Sequence, residues 1–392
     1  MTNKAPIALY IHWPFCVSKC PYCDFNSHVR AQVDMAAWQA ALLSDMAFEA
    51  ELNGNRPLSS IFFGGGTPSL MPPEIVATLI EQADKYWQFT NDIEITLEAN
   101  PNSVEVDNFA ALAGAGVNRV SLGIQSLRTD TLKFLGRAHN VNEAKRAIDT
   151  AQRHFARVSI DLIYALPDQK SDDWAIELKE ALAFGTDHMS LYQLTIEPGT
   201  RFASDFRRGI LTPTPDDNAA VLYHQTLDQM AAANMPVYEI SNFAKAGQES
   251  RHNLTYWTYG DYIGIGPGAH GRRPNIIQNK SVHMATQRHK KPENFTSAIA
   301  RNGHGMEQEN IIPPTDQGIE ALLMGLRLYR GMDIGALSAR LNRSVDQLVN
   351  RHEINKLTAQ GFASFTDNHL TITAKGMPML DHILGNIVEI DE

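Results

Sequence analysis

The chain has 392 residues, 43% of them hydrophobic, with a formal net charge of −10 and a pI near 5.8. That length and apolar content build a large core with a smaller unit beside it and exclude a disordered chain. The acidic balance argues against a nucleic-acid backbone as partner, and no run of about 18 apolar residues exists to span a membrane.

In chain order, Ile7–His12 is a short apolar run that reads as a strand. It leads into Cys16, Cys20 and Cys23, all the cysteines of the chain, spaced Cys-x3-Cys-x2-Cys. An odd, clustered set excludes a disulfide framework and points to metal chemistry. Structural zinc takes four closed ligands, so His12 or His28 would have to complete a Cys3His set. A [4Fe–4S] cube takes four thiolates, and three would leave one iron open to a small molecule. Thiols that stay reduced favour the cytosol. Met1 to Pro6 lacks the apolar core of a secretion signal.

Residues Gln32–Leu52 carry Met35, Trp38, Leu42 and Met46 at helical spacing. Leu58–Phe63 reads as a strand and runs into Gly64-Gly65-Gly66-Thr67-Pro68. Further helices are expected over Pro73–Trp87, Ser103–Ala113, Val141–His154 and Ser171–Phe184. Further strands are expected over Asp92–Glu98, Arg119–Gln125, Arg157–Tyr164 and His188–Leu194. Six strands alternating with helices, with no hairpin signal between them, predict an α/β fold with a parallel sheet. An incomplete (β/α)6 barrel fits the count better than a closed eight-stranded one.

Beyond the sixth strand, Pro198 to Pro215 reads as loop, Asp216–Ala233 as helix and Val237–Phe243 as strand. Gly247 to Gly271 is dense in glycine and aromatics, and Arg272 to Glu309 is polar with no firm period. From Pro313-Pro314 onward, helices over Gln317–Tyr329, Asp333–Arg340 and Val345–Thr358 precede short strands at Phe362–Phe365 and Leu370–Ile372. This predicts a small α+β unit of winged-helix type. Its basic residues are diluted by Glu320, Asp333, Asp346 and Glu353, so DNA is not expected as its partner. The expected organisation is a partial barrel over 1–245, a connecting segment over 246–310 and a C-terminal unit over 311–392.

A triple glycine after a strand serves as an ordinary βα turn, or lets backbone approach a ligand and aim free N–H groups at it. Polar groups also stand at the strand C-terminal ends, where βα sites form: Glu98, Gln125 and Asp161. Such a group inside an apolar strand is costly unless satisfied. One alone reads as a buried internal hydrogen bond; three at matching depth favour a shared ligand. Arg137 in Leu135-Gly136-Arg137 is either a surface charge at a helix end or a bidentate partner for a ligand carboxylate.

The cysteine spacing, with Tyr22 just before the third cysteine, resembles the radical S-adenosylmethionine (SAM) superfamily. The resemblance implies a [4Fe–4S] cluster on Cys16, Cys20 and Cys23, with SAM on the open iron and one-electron cleavage of SAM as the chemistry supplied. The glycine turn resembles the element that holds the SAM amino group. Four segments together resemble the oxygen-independent coproporphyrinogen III oxidase family: Tyr10-Ile11-His12-x-Pro14-x-Cys16, Phe63 to Pro68, Gly123-Ile124-Gln125-Ser126, and Asp161-Leu162-Ile163-Tyr164-x-Leu166-Pro167. The resemblance runs from Ala5 into the C-terminal unit. It implies that Tyr10, Tyr22, Gly65, Gly66, Thr67, Glu98, Gln125, Arg137 and Asp161 contact cluster or SAM.

Oxidases of that family carry a fourth cysteine two residues after the third, where Phe25 stands here, and a longer N-terminal arm. Both departures resemble the family's heme chaperone branch. So does Arg251-His252-Asn253-Leu254-Thr255-Tyr256-Trp257, which is similar to that branch's heme-binding element. The resemblance implies heme contact by His252, Asn253, Tyr256 and Trp257, and transfer of heme to acceptor hemoproteins. The residues themselves leave two readings of His252: an axial iron ligand beside flat aromatic area, or a satisfied core histidine. His270 is a second candidate near the cavity, and His283, His289 and His304 are expected on the surface. Radical decarboxylation of coproporphyrinogen is the alternative function, and Phe25 weighs against it. A zinc-binding interaction protein would leave the glycine turn and the strand-end polar residues unexplained. A dimer and a peripheral membrane contact both stay open.

Overall fold

The computed structural model describes residues 5–54 and 56–388. Its frame is a 12-stranded sheet. Six strands are parallel neighbours: β1 (Ile7–Trp13), β2 (Leu58–Gly65), β3 (Phe89–Ala99), β4 (Arg119–Gln125), β5 (Arg157–Tyr164) and β6 (His188–Gln193). Each of the first five is followed by a helix: α1 (Met35–Asn53), α2 (Pro73–Trp87), α3 (Phe109–Gly114), α4 (Val141–His154) and α5 (Ser171–Leu182). After β6 comes α6 (Asp216–Ala232). The expected α/β partial barrel is what the chain builds.

Period-two alternation sorts each strand into two faces. Leu9, Ile61, Phe63, Leu97, Leu122 and Ile160 join the main core with the helices. The helices meet them with apolar faces; in α4, Ala144, Ala147, Ile148 and Ala151 are buried at helical spacing. Asn140 and Glu143 close a capping box at its start, worth about 1 kcal/mol. The other strand face is polar and also buried: Ser60, Glu94, Thr96, Arg119, Ser121, Ser159, His188 and Ser190. These side chains fill the inside of the partial barrel.

The sheet continues past both ends of this parallel run. Beyond β6 lie β7 (Val237–Glu239) and β8 (Asn242–Ala244), antiparallel to each other, where the sequence pattern suggests one strand. A short helix, α7 (Arg251–Trp257), follows. Beside β1 lie β9 (Tyr262–Ile265), β10 (His270–Ile277), β11 (Lys280–Arg288) and β12 (Met306–Ile312). The stretch without a firm period is therefore a hairpin, a helix (Pro292–Asn302) and a third strand. The hairpin turn, Gln278-Asn279, has φ of 50° and 62°, the two-residue geometry that matches strand twist. The period is hidden because the buried face carries arginines. Arg273 and Arg288 are fully buried, and they pair with Glu49 and Asp45 on the inner face of α1 at 2.7–3.2 Å.

The C-terminal residues pack a second core from Leu322, Leu326, Ile334, Ile354, Leu370 and Ile383. Helices Pro314–Gly325, Ile334–Leu341 and Arg351–Ala359 surround a three-stranded sheet of Met332–Asp333, His369–Ile372 and Ala363–Thr366. The helix expected over Val345–Thr358 is broken. Asn350 caps a new start by accepting from Glu353 N at 3.0 Å, and Val349 bridges to Val388. A last helix, α8 (Leu380–Ile387), has no counterpart in the sequence reading. The loop read over Pro198–Pro215 contains a helix, Arg201–Arg207, capped by Thr200. Among the described residues no helix is long and apolar enough to cross a membrane.

Candidate functional site

A cavity of about 1520 Å³ opens at the C-terminal ends of the parallel strands. Cys16, Cys20, Tyr22, Cys23, Gly65, Gly66, Thr67, Glu98, Gln125, Arg137 and Asp161 all line it. The structure thus brings together eleven of the residues that the sequence singles out. The three thiols are each partly buried. Burial pushes the Cys16 and Cys23 thiols up, and the Thr67 hydroxyl, 3.5 Å from Cys16 Sγ, opposes this at Cys16.

Arg137 holds the cysteine loop to the barrel. Its Nη1 donates toward Cys20 Sγ at 3.5 Å and Tyr22 Oη at 3.4 Å, and its Nη2 donates to Asn100 Oδ1 at 2.5 Å and the Gly123 carbonyl at 3.0 Å. It is no surface charge at a helix end. Its Nε is buried and has no hydrogen-bond partner among the described residues, so one donor is left at the cavity wall.

The glycine turn works differently from the sequence expectation. Its N–H groups are already engaged: Gly65 N donates to Glu98 Oε2 at 3.2 Å and Gly66 N to the Trp13 carbonyl at 2.6 Å. Glycine is required here because the chain passes so close to β1 and the cysteine loop. A Cβ at Gly65, where φ is +115°, would stand 2.6 Å from His12 Cε1; one at Gly66 would stand 2.6 Å from the Phe15 carbonyl oxygen.

Glu98 and Asp161 face each other across the barrel mouth. Burial, and then the Asp161 charge, push the Glu98 carboxyl up to about 8; burial pushes Asp161 up to about 6 against hydrogen bonds from Ser190 and Ser121. Ser121 Oγ donates to Asp161 Oδ1 at 3.0 Å. A neutral Glu98 favours the folded state. This contribution is full below the unfolded carboxyl value of 4.5 and is lost as pH rises through about 8. Glu98→Gln is therefore expected to flatten the fall of thermal stability between pH 5 and pH 8, read by calorimetry on the cofactor-free chain. An unchanged slope would mean that Glu98 is ionised throughout.

Sequence reasoning passed over Asn100, although its signal was present two residues beyond Glu98 on the same strand period. Asn100 Nδ2 donates to Thr67 Oγ1 at 3.2 Å and its Oδ1 accepts from Arg137, joining the glycine turn to the cysteine loop. Glu105, also passed over, fixes this corner by accepting from Asn100 N at 2.7 Å and from Ser69 Oγ.

The remaining predicted residues lie elsewhere. Tyr10 sits below the cavity floor, its hydroxyl on His12 Nδ1 at 3.0 Å and its ring stacked on Phe62. His252, Asn253, Tyr256 and Trp257 belong to α7, which fills the opposite end of the barrel, and none of them lines the cavity. Glu94 of β3 accepts from the N–H groups of Arg251 and His252, each at 3.2 Å, and so caps α7 from inside. The His252 ring is buried. Its Nδ1 shares a hydrogen bond with Ser60 Oγ at 2.9 Å, its Nε2 with Tyr256 Oη at 2.7 Å, and its face packs on Phe62. Burial drives its pKa down to about 3, so it is neutral. Asn253 is tied to the cap residue, Ser250, through its backbone N–H at 3.3 Å. In this structure His252 has the surroundings of a satisfied core histidine, because the polar inner faces of β2 and β3 need partners. Axial ligation through it requires one of its two hydrogen bonds to open. His270 is exposed and does not line the cavity; His283, His289 and His304 are half-buried and not on the open surface.

Comparison with known proteins settles the family. Residues 10–180 match the model of the radical SAM superfamily, and residues 312–379 that of the HemN C-terminal domain. The Escherichia coli protein named heme chaperone HemW is 37% identical over 387 residues, covering 98% of each chain. This chain belongs to the HemN-like radical SAM family, in its HemW branch. A bovine relative, the mitochondrial radical S-adenosyl methionine domain-containing protein 1, is 38% identical over 97% of this chain and 87% of its own. The solved structure of Escherichia coli coproporphyrinogen III oxidase (HemN) shares the fold, with a TM-score of 0.80 at 21% identity over 97% of this chain and 89% of that one.

Membership in this superfamily implies a [4Fe–4S] cluster and SAM. The residues fit such a pair. Three partly buried thiols of one loop line a single cavity, which matches three corners of a cube with one iron left for SAM. The histidines that would complete a zinc site are engaged: His12 Nε2 with the Asn26 carbonyl at 2.9 Å and His28 Nε2 with Asn26 Oδ1 at 3.3 Å.

Proposed function

We propose that this protein holds a [4Fe–4S] cluster and SAM at the barrel mouth, binds heme, and passes it to acceptor hemoproteins in the cytosol. The observation that carries this reading is the match along 98% of both chains to a protein named heme chaperone HemW. Cys16, Cys20 and Cys23 would take three irons of the cluster. Arg137, through its free Nε, suits the SAM carboxylate, and Glu98, Gln125 and Asp161 offer hydrogen bonds to the rest of that ligand. When bound, the cluster supplies one electron and an open coordination site. The chain's own residues, the polar side chains at the strand ends and the cysteine loop, orient the ligand at the barrel mouth.

The test is anaerobic reconstitution. The wild-type chain is expected to hold about four irons and four sulfides, to bind hemin with a shifted Soret band, and to leave coproporphyrinogen unconverted with SAM and reductant. Cys16→Ala is expected to lose most of the iron. Turnover of coproporphyrinogen would replace this reading with a decarboxylase activity, and a chain that binds no hemin would end it.

A further inference from the structure

We propose that the C-terminal wall of the cavity is the seat of the iron porphyrin, with His382 as axial donor to the iron and Arg327 as the cation for a propionate. The inference rests on the heme reading above. The cavity, at about 1520 Å³, exceeds the space of roughly 300–1,000 Å³ that a drug-sized ligand fills. Its barrel end is the cysteine and strand-end site already described. Its other end lies against the start of α8, which sequence reasoning did not foresee.

There Met379, the residue that precedes α8, and His382, in its first turn, both line the same cavity as the cysteines. Met379 is 45% exposed, and His382 is exposed. The His382 ring makes no hydrogen bond or ion pair among the described residues, in contrast to His252, whose nitrogens are both occupied. A free imidazole and a neighbouring thioether are donors of the kind that heme iron takes.

Arg327 supplies the second point of recognition. It lines the same wall, and its guanidinium lies 4.8 Å over the Trp257 ring. Its Nε is buried without a partner, and among the described residues the guanidinium makes no hydrogen bond or ion pair. The carboxylate of Glu239 feels its charge but is bonded to Asn242. Arg137 is committed to the cysteine loop, and Lys19 is part of that loop, which leaves Arg327 to meet a carboxylate at the far wall. Asp216, Asp217 and Asp381 also line the cavity and would repel a propionate from other positions. Trp257, expected from the sequence to touch heme, then acts as the platform under Arg327.

Hemin and iron-free protoporphyrin IX, titrated into the full chain and its variants, separate the two roles. His382→Ala and His382→Gln are expected to move the ferric Soret band and weaken hemin by about ten-fold or more, while leaving protoporphyrin IX affinity unchanged. Arg327→Met is expected to weaken both ligands by about ten-fold, the loss of one charge-assisted pair. His252→Ala is expected to leave the Soret band in place. If the His382 variants keep the wild-type band and affinity, or if His252→Ala alone moves the band, this seat is wrong while hemin binding by the wild type still upholds the chaperone reading. No hemin binding by the wild type overturns both.

Discussion

Glu94→Leu is expected to lower the unfolding free energy by about 3–5 kcal/mol, the cost of breaking one side of a buried ion pair. Glu94 is buried inside the barrel, pairs with Arg157 Nη1 at 2.6 Å and accepts from two N–H groups at the start of α7. Burial alone would raise its pKa, but the charges of Arg119 and Arg157 outweigh it and hold the carboxyl below the usual range. Leucine leaves both arginines without their counter-charge and α7 without its inner cap. Urea denaturation of the cofactor-free chain measures the loss, and proteolysis near residues 251–257 should accelerate. Because the folded carboxyl is depressed, its contribution is present above the unfolded value of 4.5 and is lost as pH falls through the lower, folded one. The wild type should therefore be more resistant than Glu94→Leu at pH 7, with the gap narrowing in acid. A loss under about 1 kcal/mol would show that α7 is held by its apolar contacts and not by this carboxylate.

Arg137→Leu is expected to strip the cluster without unfolding the barrel. The side chain bridges Cys20, Tyr22, Asn100 and Gly123, so leucine frees the cysteine loop from the ends of β3 and β4. The Gly123 carbonyl and Asn100 Oδ1 also lose their donor, at a cost of about 1–3 kcal/mol for each group that stays dry. After anaerobic reconstitution, iron and sulfide per chain should fall to less than about half of wild type, as expected when a site loses the residue that orients its ligands. Far-ultraviolet circular dichroism should be unchanged. Arg137→Lys should not rescue it, because a single ammonium cannot span four acceptors that a planar guanidinium reaches. Full cluster content in Arg137→Leu would show that the cysteine loop is ordered by its other ties, such as Asn26 Nδ2 to the Pro267 carbonyl at 2.9 Å.

The sequence alone determined the partial barrel, the cysteine loop and the strand-end polar residues. Alternating apolar residues face the helices, and periodicity reports apolar faces directly. The spacing of Cys16, Cys20 and Cys23 is likewise a local property of one loop. The tertiary structure decided where polar side chains find partners. Arg273 and Arg288 of the outer hairpin look solvent-facing until Asp45 and Glu49 of α1 meet them across more than 220 residues of chain. His252 reads in the sequence either as an iron ligand or as a core histidine, and only the fold shows Ser60 and Tyr256 on its two nitrogens; His382 draws no notice until α8 sets it on the wall of the cysteine cavity. A buried polar group satisfied by a distant partner carries the same local pattern as an exposed one, so only the folded chain distinguishes them.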